Sequence, residues 1–196
     1  MEYNDDILIN AFRRGDKETF FANLGEAKDY YDVNGKTFSL LLALVDIYSW
    51  NTEKDEIQDN QLDILKTLIN EKENGEYKYN INDFVRSGSG AYKNNFKPID
   101  IALMHNKSEL ALEMLTRPDI DLTKPVNLVK GSIENQEYPI YYAFSFCPEV
   151  GAYIVNKELI DIDSPAFTSF RSMNTKQLVE KYNENIRENN DELVIE

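Results

Sequence analysis

The segment Lys97-Pro98-Ile99-Asp100-Ile101-Ala102-Leu103, followed by Ser108-Glu109-Leu110-Ala111-Leu112-Glu113-Met114-Leu115, constrains the fold more than any other stretch of the chain. Two apolar stripes at helical spacing, separated by a short polar break, describe one helix-turn-helix unit. The unit recurs: aligning each first helix on its small residue gives Ala11, Ala43, Ala102 and Ala143. Alanine is expected there because the first helix of each pair is packed between neighbouring pairs, and a larger side chain would push them apart. Ala11 and Ala43 lie one repeat length apart, whereas the later spacings need insertions, over 49–61, 82–95 and 125–137. Such units turn their apolar residues on one another and leave an extended surface, so a chain built of them is expected to bind another protein.

Each unit carries local signals of its own. In the first, Gly15 supplies a left-handed turn after Ile7–Arg14, before Thr19, Phe20, Phe21 and Leu24 begin a second apolar face. The second opens on Asn34-Gly35, a tight-turn dipeptide, and runs into Leu40-Leu41-Leu42-Ala43-Leu44-Val45, read as a buried helix. Its second helix is carried by Leu62, Ile64, Leu65, Leu68 and Ile69, with 49–61 read as an inserted polar loop. Ser87-Gly88-Ser89-Gly90 is read as a flexible projection before the third unit. The fourth reads Tyr138-Pro139-Ile140-Tyr141-Tyr142-Ala143-Phe144, then Val150, Ala152, Tyr153, Ile154 and Val155. Leu178, Val179, Tyr182 and Ile186 form one stripe, so 164–190 is expected to be a C-terminal capping helix and 191–196 a disordered tail.

These residues resemble the ankyrin repeat, whose units open on Thr-Pro-Leu-His-x-Ala and end in a loop or hairpin. Pro98, Ile99 and Ala102 match best, with Lys97 and Asp100 in place of the Thr and His. The fourth unit keeps Pro139 and Ala143, and the second keeps Thr37 with Phe38 at the Pro position. The resemblance covers 5–163 and implies an all-α, ankyrin-like helical repeat solenoid with inserted loops, in a single domain of 1–196. The alternative is another helical repeat or an irregular helical bundle.

Thirty-five acidic against 21 basic residues leave a formal charge of −14, which opposes nucleic acid and anionic membranes and favours a basic protein partner. Glu53, Asp55, Glu56, Asp59 and Asp63 concentrate this charge and are read as a solvated loop. The single cysteine, Cys147, forms no internal disulfide, and the acidic start of the chain is unlike a secretory signal, so a cytoplasmic protein is expected.

No chemistry-bearing motif completes itself. His105, the only histidine, falls in a predicted turn, and Cys147 precedes Pro148 with no base in sight. The 87–93 segment lacks the Gly-Lys-Ser/Thr ending of a phosphate loop. Asp119 and Asp121, like Asp161 and Asp163, lack the glycine and the bidentate Glu of a calcium loop. No cofactor, metal or catalytic group is therefore expected. What remains is tyrosine near the inter-unit loops, where a large ring with a polar tip suits an interface. The expected partner-binding set is Tyr31, Tyr77, Tyr79, Asp83, Arg86, Tyr92, Lys93, Glu134, Glu137 and Tyr138. The resulting expectation is a non-enzymatic, monomeric interaction module, in its sharper form an acidic immunity protein or antitoxin that occludes a basic toxin. The alternatives are a host-directed effector and a hydrolase using paired carboxylates.

Overall fold

The computed structural model describes residues 6–33, 36–52, 55–87, 95–130, 133–161 and 164–168. Four helix pairs follow one another: α1 (Ile7–Arg13) with α2 (Lys17–Ala22), α3 (Leu40–Trp50) with α4 (Glu56–Asn70), α5 (Pro98–Met104) with α6 (Ser108–Met114), and α7 (Pro139–Phe146) with α8 (Pro148–Asn156). A short α9 (Pro165–Thr168) ends the described chain; the expected capping helix and tail otherwise lie outside the described residues. The molecule is mostly helical and compatible with an all-α class, with short antiparallel hairpins between the pairs.

Short polar side chains start these helices. Asp6 accepts from the Leu8 and Ile9 N–H groups, Asp16 from Thr19 and Asp55 from Gln58, while Pro98, Pro139 and Pro148 open α5, α7 and α8. Gly15 lies at φ +65° as expected, and Asn106 takes the equivalent left-handed position after α5. The first helices contact one another in the order α1, α3, α5, α7, and the second helices in the order α2, α4, α6, α8. Ala11, Ala43, Ala102 and Ala143 are all fully buried along the first row, and the Leu40–Val45 run lies in the same core.

The hairpins are β1 (Tyr30–Val33) with β2 (Lys36–Ser39), β3 (Lys72–Glu73) with β4 (Glu76–Tyr77), and β6 (Val126–Lys130) with β7 (Ile133–Glu137); β5 (Arg86–Ser87) adds to the outer edge of β2. The second turns on Asn74 and Gly75, both at positive φ, as its twist requires. The third replaces the insertion expected over 125–137. The inserted loop expected over 49–61 is corrected more sharply: α3 continues to Trp50 and α4 already begins at Glu56. Gln58 and Gln61 point inward, donating to the Asn51 carbonyl (2.8 Å) and the Phe12 carbonyl (3.0 Å). Polar residues that cap free carbonyls read as loop in a hydropathy pattern but belong to the helix. The projecting segment 88–94 lies outside the described residues. Among the described residues no helix is long and apolar enough to cross a membrane.

Candidate interaction surface

The turn that follows α2, the first residues of α3 and the 78–83 segment after β4 enclose a cleft of about 530 Å³. Gly25, Lys28, Tyr30, Ser39, Tyr79 and Asp83 are among its lining residues. Asp83, only 7% exposed, is one of the buried residues of this lining. Ser39 stands at the N-cap of α3, yet its hydroxyl caps nothing and is buried without a hydrogen bond. Two lysines at the rim are already paired: Lys28 with Asp6 at 3.0 Å and Lys78 with Glu71 at 2.7 Å. Hydrogen bonding to Glu71 holds the Lys78 ammonium above its usual range.

The expected contact residues divide by location. Tyr31, Tyr77, Tyr79 and Asp83 come together around this cleft and the adjoining hairpin. Tyr31 is the inward member of the Tyr30–Tyr31 pair, 5% against 45% exposed, so the expectation that its ring meets a partner is corrected. Its hydroxyl accepts from the Lys28 N–H at 3.3 Å, and burial pushes its pKa up to about 12. Tyr79 is half-buried; burial, with the nearby Glu71, raises its phenol. Tyr77 has two cations over its ring, the Lys72 ammonium 4.5 Å and the Arg117 guanidinium 3.8 Å from its centroid.

The remaining expected residues lie elsewhere. Arg86 is placed by its backbone pairing with Thr37, and Glu134 by its pairing with Val129. Glu137 and Tyr138 sit where the β6–β7 hairpin enters α7, far along the row from the cleft. Tyr92 and Lys93 lie outside the described residues.

Three groups with no role in that expectation carry much of the local chemistry. Arg117 is 2% exposed; its Nη1 donates to the Ile69 (3.1 Å) and Tyr79 (2.9 Å) carbonyls, and its Nε and Nη2 reach the two oxygens of Asp119. This fork ties the end of α4 to the segment that follows β4, and its hydrogen bonds hold the Asp119 carboxyl below its usual range. Asp100 is fully buried in α5, with one oxygen accepting from the Lys97 N–H (2.9 Å) and the other unbonded; burial raises its pKa to about 6. Trp50, the only tryptophan, ends α3 at 69% exposure with the His105 ring 4.5 Å away, edge-on. A lone tryptophan beside an acidic stretch is the sequence signal for this last site, which the expected set does not include.

His105 follows α5 in the expected turn, and burial lowers its pKa despite the favourable charge of Asp46. Cys147 is fully buried, its Sγ donating to the Leu103 carbonyl at 3.4 Å, and burial raises its pKa. Among the described residues no cluster of three or more His, Cys, Asp or Glu side chains is arranged to hold a metal ion. Comparison with protein-family models, curated proteins and solved structures returns no match for this chain.

Proposed function

We propose that this chain is a protein-binding module built on an ankyrin-like stack of helix pairs, and that it takes a basic protein partner at the cleft between the first and second pairs. The observation that carries the reading is the cleft itself, about 530 Å³ with Asp29, Tyr30, Tyr79 and Asp83 among its lining residues. A lysine or arginine at this cleft enters a lining that includes two aspartates, and the overall charge of −14 accelerates its approach. The two rows of successive helix contacts and the buried alanines support the repeat reading. An inhibitor that occludes a basic, nucleic-acid-cleaving toxin is the sharper form of the proposal and rests on charge. A hydrolase with paired carboxylates finds less support, because the carboxyl group raised to about 6, Asp100, is sealed from any substrate.

Photo-reactive side chains at Tyr30, on the cleft, and at Thr67, on the exposed side of α4, test the proposal in the cell that makes the protein. Crosslinking from position 30 and not 67, weakened by Asp83→Asn and by added salt, is the expected result. A partner caught only from position 67, an acidic partner, or indifference to salt overturns it.

A further inference from the structure

The helix–helix turns lie at the opposite ends of the helices from the hairpins, and there the chain leaves its largest aromatic side chain in water. Trp50 is the last residue of α3, a helix four residues longer than α5, and its side chain is largely exposed beside the neighbouring turn. One edge contact, with His105, fixes it. Asp46 precedes Trp50 by four residues and therefore shares its helix face. Two residues before Trp50, Tyr48 shows what an aromatic ring at this end can hold. The Lys107 ammonium sits 4.7 Å from the Tyr48 ring centroid while donating to the Asn51 carbonyl at 2.5 Å. The intramolecular pair is complete, whereas the indole is open to solvent over most of its area.

Charge complementarity selects the occupant. Among the described residues from Asp46 to Asp59 the charged side chains are Asp46, Asp55, Glu56 and Asp59, and the cation beside them, Lys107, is already engaged by Tyr48 and the Asn51 carbonyl. Glu56 and Asp59 are exposed on the first turn of α4, and Asp59 acts electrostatically on Tyr48. An apolar ligand gains the ring but nothing from these carboxylates. A planar cation gains both, because it stacks on the face of an indole and is drawn by the surrounding negative field.

We propose that Trp50, steadied by His105 and flanked by Asp46, is an anchor for an arginine side chain of a basic protein partner. The inference rests on the reading that the partner is basic, and is independent of the cleft. It gives that partner a second point of attachment, at the far end of α3, roughly 15 Å from the cleft by the rise of an α-helix.

Because Trp50 is the only tryptophan, its emission reports the site directly. The full chain is titrated with hexa-arginine and with hexacitrulline, its uncharged isostere, while anisotropy of the labelled peptides gives affinity. The arginine peptide is expected to shift Trp50 emission saturably and to shield it from acrylamide, and the citrulline peptide to do neither. Trp50→Ala should weaken hexa-arginine binding about fivefold or more, with Trp50→Phe intermediate, as cation–π energies imply. Asp83→Asn, at the cleft, should leave the emission change in place, so failure of the cleft reading and failure of this one are separable. Equal binding of both peptides, unchanged affinity in Trp50→Ala, or no emission change at saturation overturns the proposal. Emission that changes with protein concentration in the absence of peptide also overturns it, by making a second copy of the chain the occupant.

Discussion

Replacing Asp100 with asparagine should make the protein more stable at neutral pH. The side chain is fully buried, one oxygen accepts the Lys97 N–H at the start of α5, and the other has no partner. Burial is the main influence and raises the pKa to about 6, against the opposing pull of the Lys97 charge and the backbone hydrogen bond. The native state therefore binds this proton more tightly than the unfolded chain, where the carboxyl titrates near 4. The stabilising effect of the proton is complete below about pH 4 and is lost as pH rises through about 6, a swing of about 3 kcal/mol for a shift of two units. Asparagine keeps an oxygen for the Lys97 N–H and never ionises. Urea unfolding from pH 4 to 8, followed by Trp50 emission and circular dichroism, should give a stability difference between variant and wild type near its minimum at pH 4. That difference should grow by about 2–3 kcal/mol by pH 8 in favour of the variant. Asp121 works in the other direction: burial raises its carboxyl, but hydrogen bonds from Thr123 and Lys124 outweigh this and take it to about 2, so its contribution disappears only below about pH 4. A pH-independent difference between variant and wild type would refute the reasoning, because it would mean that Asp100 holds its proton equally in both states.

Arg117→Lys should cost about 3–5 kcal/mol in chemical denaturation, since one ammonium cannot replace a guanidinium that serves two carbonyls and a carboxylate. Gly15→Ala should destabilise by more than about 1 kcal/mol, because φ is +65° and the new Cβ meets the Ile57 backbone at 3.0 Å; Gly25→Ala, with open space around it, should be near neutral in the same assay. Trp50 emission should fall on acidification as His105 gains its proton and quenches the ring it touches, with a midpoint below the usual histidine value, and His105→Gln should abolish that step. A midpoint above the usual value would show that Asp46, rather than burial, governs the imidazole.

Legibility in the sequence followed the range of the interactions. The turn at Gly15 and the Leu40–Val45 helix were readable because each depends on neighbours within one or two turns, and the four buried alanines because a long-range packing demand recurs at the same place in each unit. Tyr30 and Tyr31 were distinguishable only once hairpin register was known: adjacent strand residues face opposite sides, and nothing in two identical side chains says which is inward. Gln58 and Gln61 looked like loop because the carbonyls they serve sit on other segments, one of them on α1. Arg117 gave no local sign, since its carbonyl partners stand 48 and 38 residues earlier in the chain. Of the cleft, the sequence supplied Tyr79 and Asp83 through their position between units; Ser39 and the cavity they share depend on packing between two helix pairs.

The contrast between Arg117 and Trp50 separates side chains that the fold uses from side chains it holds in reserve. Arg117 is sealed, and every donor direction for which a bond is described ends on a carbonyl or on Asp119, so its chemistry is consumed in joining α4 to the segment that follows β4. Trp50 makes the reverse arrangement: a ring able to bury about 150–250 Å² keeps most of that area in water, forgoing about 3 kcal/mol at the usual 25 cal/mol per Å². Folding gains little from it in that position, which leaves that area for the proposed partner. The same logic ranks the tyrosines. Tyr31 is committed to the core and Tyr77 carries two cations over its ring, while Tyr30, which lines the cleft, leaves nearly half its surface exposed. The proposed interface is therefore best sought through the aromatic area that folding leaves over, at Tyr30 and Trp50, near the two ends of α3.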